Sequence, residues 1–204
     1  MTQIKKSYHH KNLRPVLLKE AAVMIAEGGV ASITMRELGR RVGVSRGAAY
    51  RHFSDKEELL MSVASTGFQK LGKHMEAVVN DTHLNQEDQL KKLGEKYVRF
   101  ALENPAYYRL MYGKESLSRW NQPVLKASGD SLFALLRETI EEFQRECGAT
   151  HKDSKTLVYV AWSSVHGLAS LLIEEQILVE VDIDAIIKQM LQTIVDGIKA
   201  DVPE

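Results

Sequence analysis

Residues 33–60 read Ile-Thr-Met-Arg-Glu-Leu-Gly-Arg-Arg-Val-Gly-Val-Ser-Arg-Gly-Ala-Ala-Tyr-Arg-His-Phe-Ser-Asp-Lys-Glu-Glu-Leu-Leu. The order of caps, turn and apolar positions in this stretch defines two short helices meeting at a steep angle. Thr34 can cap the first, with Glu37 three residues on in the position of a capping box. Leu38 and Val42 are spaced to face a small core, Gly43 supplies the tight turn, Val44 fills the gap, and Ser45 caps the next helix at once. Ser54 with Glu57 repeats the capping box and opens a longer helix.

Such a helix-turn-helix can lay its second helix in a DNA major groove, roughly 12 Å wide, with its N-terminal residues toward base edges while the first helix crosses the backbone. Arg46, Gly47, Ala48 and Arg51 are then the candidate base readers, with Ser45 at the head of the helix. Arg46 can bond guanine O6 and N7 in a bidentate way, Gly47 leaves room for close approach, and Ala48 can touch a thymine methyl. Tyr50, His52 and Lys56 carry donors suited to phosphate oxygens. Thr34 combines a hydroxyl with a helix N-terminus, and Met35 and Arg36 stand where backbone or a groove edge would pass.

Working outward, Asn12 and Pro15 open a preceding helix that Gly28-Gly29 closes, with Leu17, Leu18, Ala21, Ala22, Met24 and Ile25 on one face. Residues 1–56 carry 11 basic against four acidic side chains, a net of +7, although the whole chain balances 27 Lys and Arg with 27 Asp and Glu. A basic head on a neutral chain fits a polyanion partner, and Lys5, Lys6, His9 and His10 could extend it as an arm along DNA. Beyond residue 80 the helical period continues to the end, with no alternating run that reads as a strand. The fold class expected is all-α: an N-terminal helix-turn-helix domain over 1–64 joined through a continuous helix to an antiparallel bundle over 65–204, about nine helices in all. No apolar run approaches the roughly 18 residues of a membrane span, which places the chain in the cytoplasm. The single Cys147 excludes an intramolecular disulfide and a Cys-based zinc site, and no metal or other cofactor is expected.

The N-terminal stretch resembles the DNA-binding domain of TetR-type transcriptional regulators in Thr34-x-Arg36-x-Leu38, Gly43-Val44-Ser45-x-Gly47, Tyr50-x-His52-Phe53 and Lys56-x-x-Leu59-Leu60. Gly39 stands where the family usually has Ala, which should loosen the first short helix, and Ala49 replaces a larger apolar residue. Downstream, Trp162-Ser163-Ser164-Val165-His166-Gly167-Leu168-Ala169, with Asn104-Pro105-Ala106-Tyr107-Tyr108-Arg109-Leu110-Met111-Tyr112, looks like the C-terminal domain of a subgroup marked by Trp, His and Gly. The resemblance implies a homodimeric regulator, a repressor, that binds a palindromic operator in double-stranded DNA and answers to a small-molecule effector.

The residues supply their own support. Ile183, Ile186, Ile187, Met190, Leu191, Ile194, Val195 and Ile198 form a long apolar stripe on the last helix, and the penultimate helix is apolar on two faces. A four-helix interface with a second copy, through Leu157, Ala161, Ser164, Leu168, Ile183, Ile187, Met190, Leu191 and Ile194, would cover both. A monomer that buries these stripes internally is the alternative. An effector pocket would draw on Tyr97, Phe100, Tyr107, Met111, Phe133, Trp162 and His166, which suits a lipophilic or aromatic molecule. His166 could equally be a core histidine satisfied by a buried hydroxyl. No Arg/Lys cluster marks a phosphorylated ligand, and no nucleophile elbow, phosphate loop or metal signature supports an enzyme. The competing class is a non-inducible DNA-binding or protein-interaction module, whose bundle would be filled by side chains.

Overall fold

The structure is a computed structural model that describes residues 12–113, 122–177 and 182–200. The proposed basic arm of Lys5, Lys6, His9 and His10 lies outside them, as does most of the expected loop over 113–122. Among the described residues there are nine α-helices and no strand: α1 (Leu13–Gly28), α2 (Met35–Val42), α3 (Arg46–Tyr50), α4 (Lys56–Val79), α5 (Gln86–Glu103), α6 (Pro105–Tyr112), α7 (Pro123–Cys147), α8 (Ser154–Ile173) and α9 (Ile183–Lys199). The all-α fold read from the periodicity is the fold observed. The chain forms two compact units, Met1–Val63 and Ala64–Glu204.

In the first unit, Leu17, Ala21, Ile33, Leu38, Ala49 and Phe53 are fully buried and make a small core. Gly29 and Gly43 take the left-handed φ values of 69° and 76° that end α1 and α2, a conformation open to glycine at little cost. Three expected caps differ in detail. Asn12 occupies the N-cap of α1 without a side-chain bond, so Pro15 within the first turn is what spares the helix a donor. Thr34 Oγ1 accepts the Glu37 N–H at 3.1 Å as expected, but the Glu37 carboxylate turns away to Arg40 and Arg41. Asp55, not Ser54, caps α4: its Oδ1 accepts the Glu58 N–H at 2.8 Å, and Glu58 reaches back to the Ser54 N–H at 2.7 Å.

In the second unit α5 is the central element, packed against α7, α8 and α9. Asn85, Asp153 and Asp182 cap α5, α8 and α9 through their side chains. Gln144 is buried where α7 turns into α8, its amide donating to Ala149 O at 3.0 Å and Lys152 O at 2.9 Å. A Cβ on Gly94 of α5 would overlap Leu191 Cδ2, so the absent side chain lets α9 seat Leu191 directly on the α5 backbone. Helix α8 amends one expectation: by length and composition alone it is apolar enough to cross a membrane. Its inner positions Val158, Ala161, Val165, Leu168 and Ala169 are buried, while Tyr159, Val160 and Leu171 are exposed.

Candidate functional site

The helix-turn-helix is held by its own backbone. Val44 N–H donates to Gly39 O at 2.8 Å, which draws the turn onto α2. A Cβ on Gly39 would stand 3.2 Å from Val44 O, so glycine here permits a close turn rather than merely loosening the helix. Ser45 Oγ then accepts the Ala48 N–H at 3.2 Å and starts α3.

The basic residues divide into two groups. Arg41 is tied to Glu27 at 2.6 Å, and to Glu20 and Glu37 at 3.4 Å, bracing α2 against α1. Arg40 pairs with Glu37 at 2.6 Å, and that bond, more than any other influence, lowers the Glu37 carboxyl to about 2. Arg36, Arg46 and Arg51 are exposed and have no ion pair among the described residues. The six arginines behind the +7 are thus sorted: Arg40 and Arg41 pair with carboxylates, Arg14 donates to Ser62 at 2.9 Å, and Arg36, Arg46 and Arg51 face outward. Arg46 lies over the Tyr50 ring, its guanidinium carbon 5.3 Å from the centroid, and Tyr50 is 40% exposed. A Cβ on Gly47 would meet nothing within 4 Å, so internal packing does not require glycine there.

Of the expected DNA contacts, Thr34, Arg36, Ser45, Arg46, Gly47, Tyr50 and Arg51 are exposed, and His52 and Lys56 are half-buried. Two sit elsewhere. Met35 is only 4% exposed and Ala48 only 7%. Both point inward, Met35 at the first turn of α2 and Ala48 beside the fully buried Ala49, which leaves no methyl of Ala48 for a thymine.

In the second unit an apolar cavity lies among α4, α5, α6, α7, α8 and α9, walled by Met75, Leu93, Tyr97, Tyr112, Leu132, Phe133, Leu136, Trp162, Val165 and Leu191, among others. Its free volume is about 40 Å³. One buried water needs about 10–15 Å³ on this measure, so a larger occupant must push side chains aside. Tyr97, Phe133 and Trp162 of the expected pocket line it. Phe100, Tyr107 and Met111 do not: Phe100 meets His74 edge-on, Tyr107 lies under Lys70, and Met111 fills the space over Gly67.

His166 stands behind the cavity wall. Tyr97 OH is 3.0 Å and Tyr108 OH 2.7 Å from its Nδ1, and Tyr108 OH also donates to the His166 carbonyl oxygen at 3.2 Å. Both hydroxyls meet the same ring nitrogen, which ties α8 to α5 and α6. Burial lowers the His166 pKa and raises those of Tyr97, Tyr108 and Tyr112, so the cluster is uncharged near neutrality. Trp162 stacks on the imidazole at 4.9 Å between centroids. Sequence reasoning picked out His166 but missed Tyr108, whose i, i+4 relation to Tyr112 on α6 was the available signal.

The residues expected at a dimer interface are divided. Ala161, Leu168, Ile187 and Leu191 are buried within the chain's own second unit, Leu157, Ser164, Met190 and Ile194 are half-buried, and Ile183 is exposed. The open face of α8 carries instead Tyr159, 55% exposed, Val160, 51% exposed, Ser163, Gly167 and Leu171. Cβ atoms on Gly167 and on Gly197 of α9 would meet nothing within 4 Å.

A capped helix-turn-helix with outward arginines, followed by an α-helical unit around an apolar cavity, defines a class of all-helical DNA-binding regulators. Residues 17–63 match the family of bacterial regulatory proteins of the tetR type, and residues 90–194 match the tetracyclin repressor-like C-terminal domain. The chain belongs to the TetR family. Neither match singles out the Trp-His-Gly subgroup that residues 104–112 and 162–169 resemble. An HTH-type transcriptional regulator of Staphylococcus aureus is 27% identical over 96 residues, 47% of this chain and 51% of its own. The HTH-type transcriptional repressor AcnR of Corynebacterium diphtheriae is 45% identical over 51 residues, 25% of this chain and 27% of its own. The chain spans about half the length of the first of these curated relatives, and less of the second. Among solved structures, a protein of unknown function from Rhodococcus is 27% identical with a TM-score of 0.84, covering 95% of this chain and 98% of that one. The fatty acid degradation regulator FadR of Bacillus halodurans shares the fold at 16% identity, TM-score 0.74, covering 90% and 95%.

Proposed function

We propose that this protein is a sequence-specific DNA-binding transcriptional regulator, a homodimeric repressor released by a small apolar or aromatic effector. The observation that carries the reading is the outward face of α3, where Arg46 and Arg51 have no ion pair among the described residues and flank Gly47, while Arg40 and Arg41 are neutralised. A guanidinium so placed reads guanine, and Tyr50, His52, Lys56 and Thr34 anchor phosphates. Dimerisation through the open face of α8 and the neighbouring α9 would cover Val160 and Leu171, and the bare Gly167 and Gly197 would let helices approach closely. Twofold symmetry then matches a palindromic operator. Met75 connects effector and DNA in this reading, because it lines the cavity and belongs to α4, which begins in the DNA-binding unit. A regulator of this kind works in the cytoplasm, where the DNA is, and no enzymatic role is assigned.

The tightness of the cavity favours a second reading, a regulator of the same operator with no effector. Selection of bound fragments from sheared DNA of the source genome, with wild type and Arg46→Ala in parallel, tests the DNA claim common to both. Enrichment of a short palindrome by wild type alone supports it, and enrichment of nothing by either overturns it.

A further inference from the structure

Three arginines of the first unit face outward, and one of them meets a ring. Arg46 opens α3 and Tyr50 closes it, four residues apart and so on one face of the helix. The Arg46 guanidinium carbon lies 5.3 Å from the centre of the Tyr50 ring, inside the roughly 6 Å over which the negative face of an aromatic ring attracts a cation. Arg36 and Arg51 are exposed as well, yet among the described residues neither has an ion pair or a ring contact.

Arg46 is held in a different way from Arg40 and Arg41. Carboxylates bind those two, and the bonds occupy guanidinium N–H groups and offset the charge. A ring does neither. It restrains the guanidinium while leaving its charge and its five N–H donors for another partner, which is what bidentate bonding to guanine O6 and N7 requires. The backbone that carries the ring is itself fixed: Ala49 beside Tyr50 is fully buried, and the turn around them is closed by Arg51 N–H to Gly47 O and Phe53 N–H to Ala49 O, both at 3.2 Å. Arginine loses more rotamer freedom on being ordered than most side chains, so a restraint already present in the free protein reduces the entropy lost on binding.

We infer that Tyr50 is a positioning residue for Arg46: its ring holds the guanidinium before DNA arrives, and part of the sequence preference carried by Arg46 resides in that ring. The inference rests on the reading of Arg46 as a base reader, and it adds a role for the Tyr50 ring to the phosphate contact of the Tyr50 hydroxyl.

Two substitutions separate ring from hydroxyl. Tyr50→Phe keeps the ring and removes the hydroxyl, whereas Tyr50→Leu removes both, so a lost phosphate bond is common to the two and their difference reports the ring. The readout is the ratio of affinities of the full-length protein for the selected palindrome and for a scrambled duplex, at one salt concentration; an inactive fraction lowers both affinities alike and leaves the ratio unchanged. Tyr50→Phe should keep the wild-type ratio, and Tyr50→Leu should lower it by about two- to fivefold for each half-site. In an Arg46→Ala background the two variants should give the same ratio, because no guanidinium is left to hold. In an Arg51→Ala background the difference between them should remain, which a general disturbance of α3 would not predict. Tyr50→Met repeats the deletion of the ring with an unbranched chain should Tyr50→Leu fail to fold. Equal ratios for the Phe and Leu variants, or a difference that survives Arg46→Ala, overturn the positioning role while leaving Arg46 as the base reader. Equal losses on both duplexes in Arg46→Ala alone overturn the base reader and this inference with it.

Discussion

Gly94→Ala in α5 opposes two effects of known size. In the interior of an exposed helix the change from glycine to alanine gains about 1 kcal/mol. Here the new methyl would overlap Leu191 Cδ2 and stand 3.4 Å from Val165 Cγ1. Leu191 is buried, and forcing an extra methyl into a packed position costs about 1–3 kcal/mol. The net expectation is a loss of about 0–2 kcal/mol. Leu191→Ala alone should cost about 2–5 kcal/mol, as large-to-small changes in cores do. In the Leu191→Ala background the methyl at 94 has room, the clash vanishes and the propensity gain stands alone, so the same substitution should then stabilise by about 1 kcal/mol. Urea denaturation of the four proteins, at one fixed concentration because dimerisation would contribute to stability, reads this cycle. Gly94→Ala stabilising wild type and Leu191→Ala to the same extent would refute the claim that Leu191 is seated on the α5 backbone.

Lys56→Ala should weaken cognate and random DNA alike and flatten the dependence of log K on log salt by about one, whereas an unchanged slope would remove Lys56 from the phosphate contacts. Val160→Glu places a charge on the open face of α8 without touching the buried stripe, and sedimentation should show monomers; a dimer of undiminished affinity would move the interface elsewhere. Burial holds the His166 pKa below its ordinary 6.5, so the unfolded chain takes up the proton first and stability should fall as pH drops below about 6.5. His166→Asn should remove that part of the slope. Above pH 10 the unfolded chain ionises its tyrosines before Tyr97, Tyr108 and Tyr112 do, so stability should fall there as well; thermal melts across the range check both limbs.

The parts of this molecule legible in the sequence are those governed by local chemistry. Thr34, Ser45, Gly29 and Gly43 act through bonds or φ values within a few residues, and each does at its position what its residue type implies. The caps that shifted, Ser54 to Asp55 and Glu57 to Glu58, differ by one residue because neighbouring acidic and hydroxyl side chains compete for the same N–H groups. Direction across short helices was not legible. In the five residues of α3 almost every position is near an end, so periodicity could not show that Ala48 points inward with Ala49. The stripe of α9 was visible, yet its partner was not: Ile187, Leu191, Val195 and Ile198 turned out to be buried within their own chain, on a unit whose central helix has a glycine at 94. The division of the aromatic residues into cavity wall and filled core depends on long-range packing, as with Met111 over Gly67, and no spacing rule encodes it. The Tyr97–His166–Tyr108 cluster joins positions 58 and 69 residues apart for the same reason.

The central claim is that the exposed face of α3 reads sequence, and the most direct measurement is the affinity of wild type and Arg46→Ala for a selected palindrome and for a scrambled duplex, by fluorescence anisotropy at one physiological salt concentration. Wild type should prefer the palindrome by at least about 10³-fold. Arg46→Ala should lose about 1–3 kcal/mol on the palindrome, relaxing preference at one base position in each half-site, and change little on the scrambled duplex. Equal losses on both duplexes, or a wild type that binds them alike, would contradict the account.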